Sequence, residues 1–124
     1  MLFPAVSVTY RWNSTGITVA GGTNGTANNE LNLPYGILVD SSNAIYVADQ
    51  NNNRVQKFLS GSLTATTIAG QSTGTSGTSL ADLDKPTGIA FDSTGNIYVA
   101  DRVNHRIQYW ATGATTGVRV AGTG

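Results

Sequence analysis

The sequence contains no cysteine. That excludes a disulfide framework, a thiolate metal site and a cysteine nucleophile together. Charge is also scarce. Seven Lys plus Arg face seven Asp plus Glu, 11% of 124 residues, and the formal net charge is zero. An average domain carries about a quarter charged residues. With no cationic excess, nothing draws a polyanion at long range, which argues against nucleic acid as the main partner. His105 is the only histidine. A histidine metal site takes several, so no metal or other cofactor is expected. No run of eighteen apolar residues exists, so no transmembrane helix and no membrane partner is expected. The opening Met1–Val6 is too short and too uncharged for a signal-peptide core. The expectation is a cytosolic chain, or a piece of a longer protein whose targeting signal lies elsewhere, so localisation stays open. Two Asn-x-Ser/Thr sequons, at Asn13 and Asn24, are no more than chance supplies in a chain this rich in Asn, Ser and Thr.

What is present is a repeat. The stretch Pro86–Trp110 restates Pro34–Phe58 at an offset of 52 residues, with 13 of 25 positions identical. A second copy at a fixed period decides the architecture before any finer argument. Inside each copy the pattern is that of strands. Gly36-Ile-Leu-Val-Asp40 and Gly88-Ile-Ala-Phe-Asp92 are short apolar runs, as expected of strands buried on both faces. A turn follows in each, and the Asn43/Gly95 exchange is what a positive φ demands. Ala44-Ile-Tyr-Val-Ala48 and Asn96-Ile-Tyr-Val-Ala100 are β-branched and aromatic. Arg54-Val-Gln-Lys-Phe58 and Arg106-Ile-Gln-Tyr-Trp110 alternate polar with apolar, which predicts one wetter face.

A shorter element occurs three times: Gly16–Gly21, Ala65–Gly70 and Gly117–Gly122. It supplies a fourth strand. Val6–Tyr10 alternates like a further strand. The loops 21–33 and 70–85 differ by three residues and both end in leucines before a proline, read as anchors on the core. Gly70–Gly77 reads as a linker, because it lacks the Lys and the following helix of a phosphate loop.

Pro-x-Gly-Ile-x-x-Asp, Ile-Tyr-Val-Ala-Asp and Asn-x-Arg-Ile/Val-Gln together resemble the NHL repeat, over about 33–59 and 85–111. The resemblance implies an all-β chain built as β-propeller blades of four antiparallel strands, with about six blades in a complete ring. This chain would supply residues 1–21 as the leading strand of a preceding blade, 22–70 as one blade and 71–124 as a second. Two blades cannot close a ring, so an apolar sheet face is expected to stay open. The chain is then a fragment that contacts missing blades, a protomer whose copies (three, for six blades) complete the ring, or an incomplete domain of marginal stability.

Candidate site residues recur in both copies: Asp49, Asn52 and Arg54, with Asp101, Asn104 and Arg106. A ring of such aspartates would suit a ligand or metal. The plainer reading has Asp bonding the turn, Asn in a left-handed position, and Arg pairing with acids or carbonyls of its own or the next blade. Asp40 and Asp92 would suit acid–base work, but they also stand where a turn wants Asp. His105 matches Asn53 and reads as a surface turn residue. Lys57, Arg102, Arg106 and Arg119 beside Tyr109 and Trp110 resemble a single-strand RNA platform, and some NHL propellers bind RNA, but the balanced charge weighs against it. No catalytic constellation is present.

The function expected is therefore a non-enzymatic binding or scaffold surface, presented to a protein partner by the loops. The alternatives are part of a propeller lyase or hydrolase with a channel metal, and the substrate-recognition part of a tripartite-motif-like ubiquitin ligase.

Overall fold

The computed structural model describes residues 11–123. Two short strands, β1 (Thr23–Asn24) and β2 (Glu30–Leu31), pair in parallel within the first loop. Two four-stranded antiparallel sheets follow. Blade 1 holds β3 (Pro34–Val39), β4 (Ile45–Asp49), β5 (Arg54–Phe58) and β6 (Ala65–Gly70) in chain order. Blade 2 repeats the order with β7 (Pro86–Phe91), β8 (Ile97–Asp101), β9 (Arg106–Trp110) and β10 (Val118–Gly122). Short strands rich in Val, Ile and aromatics, separated by Asp-initiated turns, leave no other local option. Asn43 and Gly95 take the positive φ that the turn requires, at 61° and 87°.

The pleat gives each sheet two faces. In blade 1, ladder partners place Ile37, Val39, Ile45, Val47, Gln56 and Phe58 on the front face. Leu38, Tyr46, Ala48, Val55 and Lys57 lie on the rear face. Blade 2 stacks its front face on the rear of blade 1. Val55, Ala69, Leu83, Ile97, Val99 and Trp110 form the shared core, with Ile68, Ile89 and Phe91 packed against it. Tyr46 meets Phe91 edge-on, with centroids 4.7 Å apart. A second cluster, Val47, Phe58 and Ala65 with Ala20, Leu31 and Ile45, lies on the front of blade 1.

Four expectations change. Gly16–Gly21 forms no strand. A strand exists only where a neighbour takes its backbone hydrogen bonds, and no described strand pairs with it, although Ala20 keeps its place in the front cluster. Val6–Tyr10 lies outside the described residues. Neither inner strand is buried on both faces: Ile37 and Val39 of β3 are 65% and 55% exposed, and Gly88 and Ala90 of β7 are exposed, whereas Ile89 and Phe91 of β7 pack into the shared core. What buries one face of an inner strand is the neighbouring blade, and among the described residues none lies on the front of blade 1. Third, the polar face of β5 and β9 is not wet. Arg54, Gln56 and Gln108 have no exposure: loop carbonyls and Asp49 satisfy the guanidinium, whereas Gln56 Nε2 and Gln108 Oε1 are buried without a partner. Last, of the loop leucines only Leu83, fully buried, and Leu31 reach a core, while Leu33 and Leu80 stay exposed.

Candidate functional site

The recurring residues assemble into one network per blade. Asp49 ends β4 and Arg54 starts β5, directly opposite in the ladder. Arg54 Nε lies 2.8 Å from Asp49 Oδ2, and both side chains are fully buried. The rest of the guanidinium donates to the Thr26, Ala27 and Glu30 carbonyls at 2.8, 3.0 and 3.3 Å and to Ser72 at 2.9 Å. Asn52 Nδ2 donates to Asp49 Oδ2 and to the Gly25 carbonyl. Asp49 Oδ1 accepts from Asn32 N–H at 2.7 Å. Blade 2 repeats the contacts to the entering loop: Arg106 Nε on Asp101 Oδ2 at 2.7 Å, its other nitrogens on the Thr78, Ser79 and Asp82 carbonyls, and Asp84 N–H on Asp101 Oδ1. Asn104 bridges Asp101 and the Gly77 carbonyl.

The network is a clasp. One arginine fork, rigid and fully charged, holds the loop that enters its own blade. Asp49 and Asp101 accept backbone N–H from that incoming loop, and from their own turn only the Asn52 and Asn104 side-chain amides. The left-handed residues are Asn53 and His105, at φ 52° and 51°, and not Asn52 and Asn104. Asn53 ties the blades together, donating to the Gly74 carbonyl and accepting from Lys85 N–H.

Asp40 and Asp92 line one shallow depression of about 460 Å³ with Tyr46, Phe91 and Gly95. Each carboxylate is spent on its own turn. Asp40 accepts from the Ser42 hydroxyl and from Ser42 and Ala44 N–H, and its second oxygen from the Tyr46 hydroxyl. Its pKa falls from the ordinary 3.8 to about 2, chiefly through the Ser42 hydroxyl and the Ala44 N–H. Asp92 falls to about 2 chiefly through the Asn96 side-chain amide, against the opposing push of desolvation. Folding therefore depresses both pKa values. The stabilisation is complete above the unfolded value near 4 and is lost as pH drops toward 2. Tm is expected to fall between pH 4 and pH 2, and the double substitution Asp40→Asn, Asp92→Asn to flatten that slope. Thermal scans in half-unit pH steps check it, and an unchanged slope would contradict it.

The NHL-repeat family profile matches residues 31–58 and 83–109. The chain carries two NHL repeats. The clasp and the Asp turns are the parts those repeats share. No curated protein matches the chain. Among solved structures it is similar to a candidate phosphatase from Bacteroides thetaiotaomicron VPI-5482, at 20% identity and a TM-score of 0.62. The match covers 77% of this chain and 26% of that one, so the chain spans about a quarter of that protein's length. At this identity the likeness shows the propeller-type fold alone.

The remaining candidates do not converge in the NHL blades. Lys57 lies 5.0 Å from the centre of the Tyr46 ring on the rear of blade 1. Arg106 is consumed by the clasp, and Trp110 is buried in the shared core. Arg102 and His105 sit on an exposed turn, and Arg119 bonds the Thr123 carbonyl. Among the described residues these candidates form no continuous basic stripe with stacked aromatics. Among the described residues, no group of three His, Cys, Asp or Glu side chains is placed to hold a metal.

Three residues escaped the sequence reading. Gln56 and Gln108 are buried where a wet face was expected, and Gln108 joins the clasp by donating to the Asp82 carbonyl. Asp82 knots the second loop, accepting from Gln71 and the Ser79 hydroxyl, and these bonds lower its pKa. The Ser79-x-x-Asp82 spacing was the available signal.

Proposed function

We propose that the two NHL repeats form a non-enzymatic binding module for a protein partner, presented by the loops 21–33 and 70–85. The observation that carries this reading is the clasp. Arg54 and Arg106 pin each loop through its own carbonyls, so the loop backbones are fixed before any partner arrives. Fixed loops cost little ordering entropy on binding. Outward they present Thr73, Thr75, Ser76 and Thr78 in the second loop and Asn28 and Asn29 in the first, all exposed. These neutral hydroxyls and amides suit an uncharged protein surface better than a polyanion. The repeat boundary near residue 70 fits the same reading, because Arg106 holds 78–82 to blade 2.

The test uses the whole chain as bait against a proteome of its source, with mass spectrometry of what is retained. A variant carrying Thr73→Lys, Thr75→Lys and Thr78→Lys changes the loop and leaves the clasp carbonyls in place. A specific partner is expected to bind the native chain and to lose at least tenfold in affinity with the variant. Equal retention by both, or turnover of a phosphomonoester by the native chain, would overturn the proposal.

A further inference from the structure

Both outer faces of this blade pair match faces that are already joined inside it. The blade 1–blade 2 junction seats Ile89 and Phe91 of one front face on Tyr46, Val55 and Ala48 of one rear face. The rear of blade 2 carries the same positions in the same register: Tyr98, Ile107 and Ala100. Tyr98 is 37% exposed where Tyr46 is 7%. The front of blade 1 carries Ile37 and Val39, more than half exposed, at the positions of Ile89 and Phe91. Neither set includes a charge.

The rear of blade 2 also holds a hollow of about 240 Å³, where Ala100, Ile107 and Gly122 lie beside Asp101, Arg102 and Arg106. In blade 1 the matching place is filled. Leu83 lies fully buried beside Val55, and it would crowd a Cβ added at Gly70. Leu31 is the equivalent leucine at the front of blade 1, only half-buried. It has an end to offer that hollow.

We infer that a second copy of this chain seats its blade 1 front face on the blade 2 rear face, head to tail, with its Leu31 entering the hollow. One element must yield. Residues 16–21 stand in front of blade 1 where the outer strand of a preceding blade belongs. Ala20 fills the place of Ala69, and Gly21 approaches Leu31 as Gly70 approaches Leu83. Their sequence, Gly-Ile-Thr-Val-Ala-Gly, is nearly that of Gly117–Gly122, Gly-Val-Arg-Val-Ala-Gly, which includes β10. The arriving β10 replaces residues 16–21 with the same Ala-Gly step. The exchange gives up little, because those residues pair with no described strand and Ile17 and Val19 are 83% and 52% exposed. The contact is heterologous, so copies add until the arc closes.

Light scattering on the full chain tests this. The native protein is expected to weigh a multiple of 12.9 kDa. Ile37→Arg blocks the front face at an exposed position. Gly88→Ala blocks the rear face, since Gly36, its counterpart, already lies against the Thr87 carbonyl across the internal junction. In the free chain a Cβ at Gly88 meets only Ala100 Cβ at 3.6 Å, an ordinary contact. Each variant alone is expected to be a folded monomer by circular dichroism. Mixed, they keep one intact front and one intact rear, and are expected to form a one-to-one dimer that grows no further. A monomeric native chain, assembly that survives either substitution, or a mixture that stays monomeric would each overturn the inference.

Discussion

Arg54→Leu is expected to remove most of the stability of the chain. The substitution leaves Asp49 fully buried with no cation, 2.8 Å from where Nε stood. Breaking a buried pair from one side costs about 3–5 kcal/mol. It also releases the Thr26, Ala27, Glu30 and Ser72 carbonyls, which hold two loops to blade 1. A domain of this size has about 5–15 kcal/mol in total. Urea unfolding followed by circular dichroism is expected to show an unfolding free energy lowered by that amount or no folded baseline at all. Lysine does not substitute, because its ammonium lacks the fork that reaches several acceptors at once. Asp49→Asn combined with Arg54→Leu is expected to cost less than the sum of the two, since the pair is one unit. An unfolding free energy within about 1 kcal/mol of native for Arg54→Leu would show that the clasp is ornamental.

The strands of both blades were legible because their causes are local. Alternation, β-branching and Asp-led turns act within five or six residues, and the 52-residue offset then confirms each reading against its copy. The clasp was half legible. Asp49 and Arg54 stand close in sequence, but the carbonyls that Arg54 grips lie 24–28 residues upstream, and one lies 18 residues downstream. No spacing rule reaches that far, so Arg54 and Gln56 read as wet when they are buried. Leu33 and Lys85 were hidden for another reason. A residue before proline normally stays extended, yet both take left-handed φ, at 49° and 52°. In each loop the preceding residue, Asn32 or Asp84, turns its N–H inward to the buried aspartate. Tertiary bonding overrides the local preference there. The fate of Gly16–Gly21 was equally beyond local reading, because whether it forms a strand depends on a neighbour and not on its own residues.

Gly36→Ala is expected to cost far more than a single added methyl group ordinarily does. β3 and β7 are the inner strands of the two blades and pack directly against each other. A Cβ at Gly36 would run into the Thr87 carbonyl oxygen, a backbone atom that cannot rotate away. β7 must shift as a whole, and with it Ile89 and Phe91, which fill the shared core. The edge contact of Phe91 on Tyr46 at 4.7 Å opens in the same movement. Overpacking of a closed core costs about 1–3 kcal/mol, and more when backbone has to move. Gly88→Ala is the matched control, with the same residue at the same position of the other repeat. At a concentration low enough to keep the chain monomeric it is expected to be neutral, or stabilising by about 0.4–1 kcal/mol through the unfolded chain. Paired unfolding curves read the difference. If both substitutions cost the same, the damage comes from alanine in an inner strand rather than from the junction between the blades. If only Gly36→Ala unfolds early, the blades hold each other up through that backbone contact. The sensitivity of Gly88 to the same methyl group then reports when a further blade has arrived.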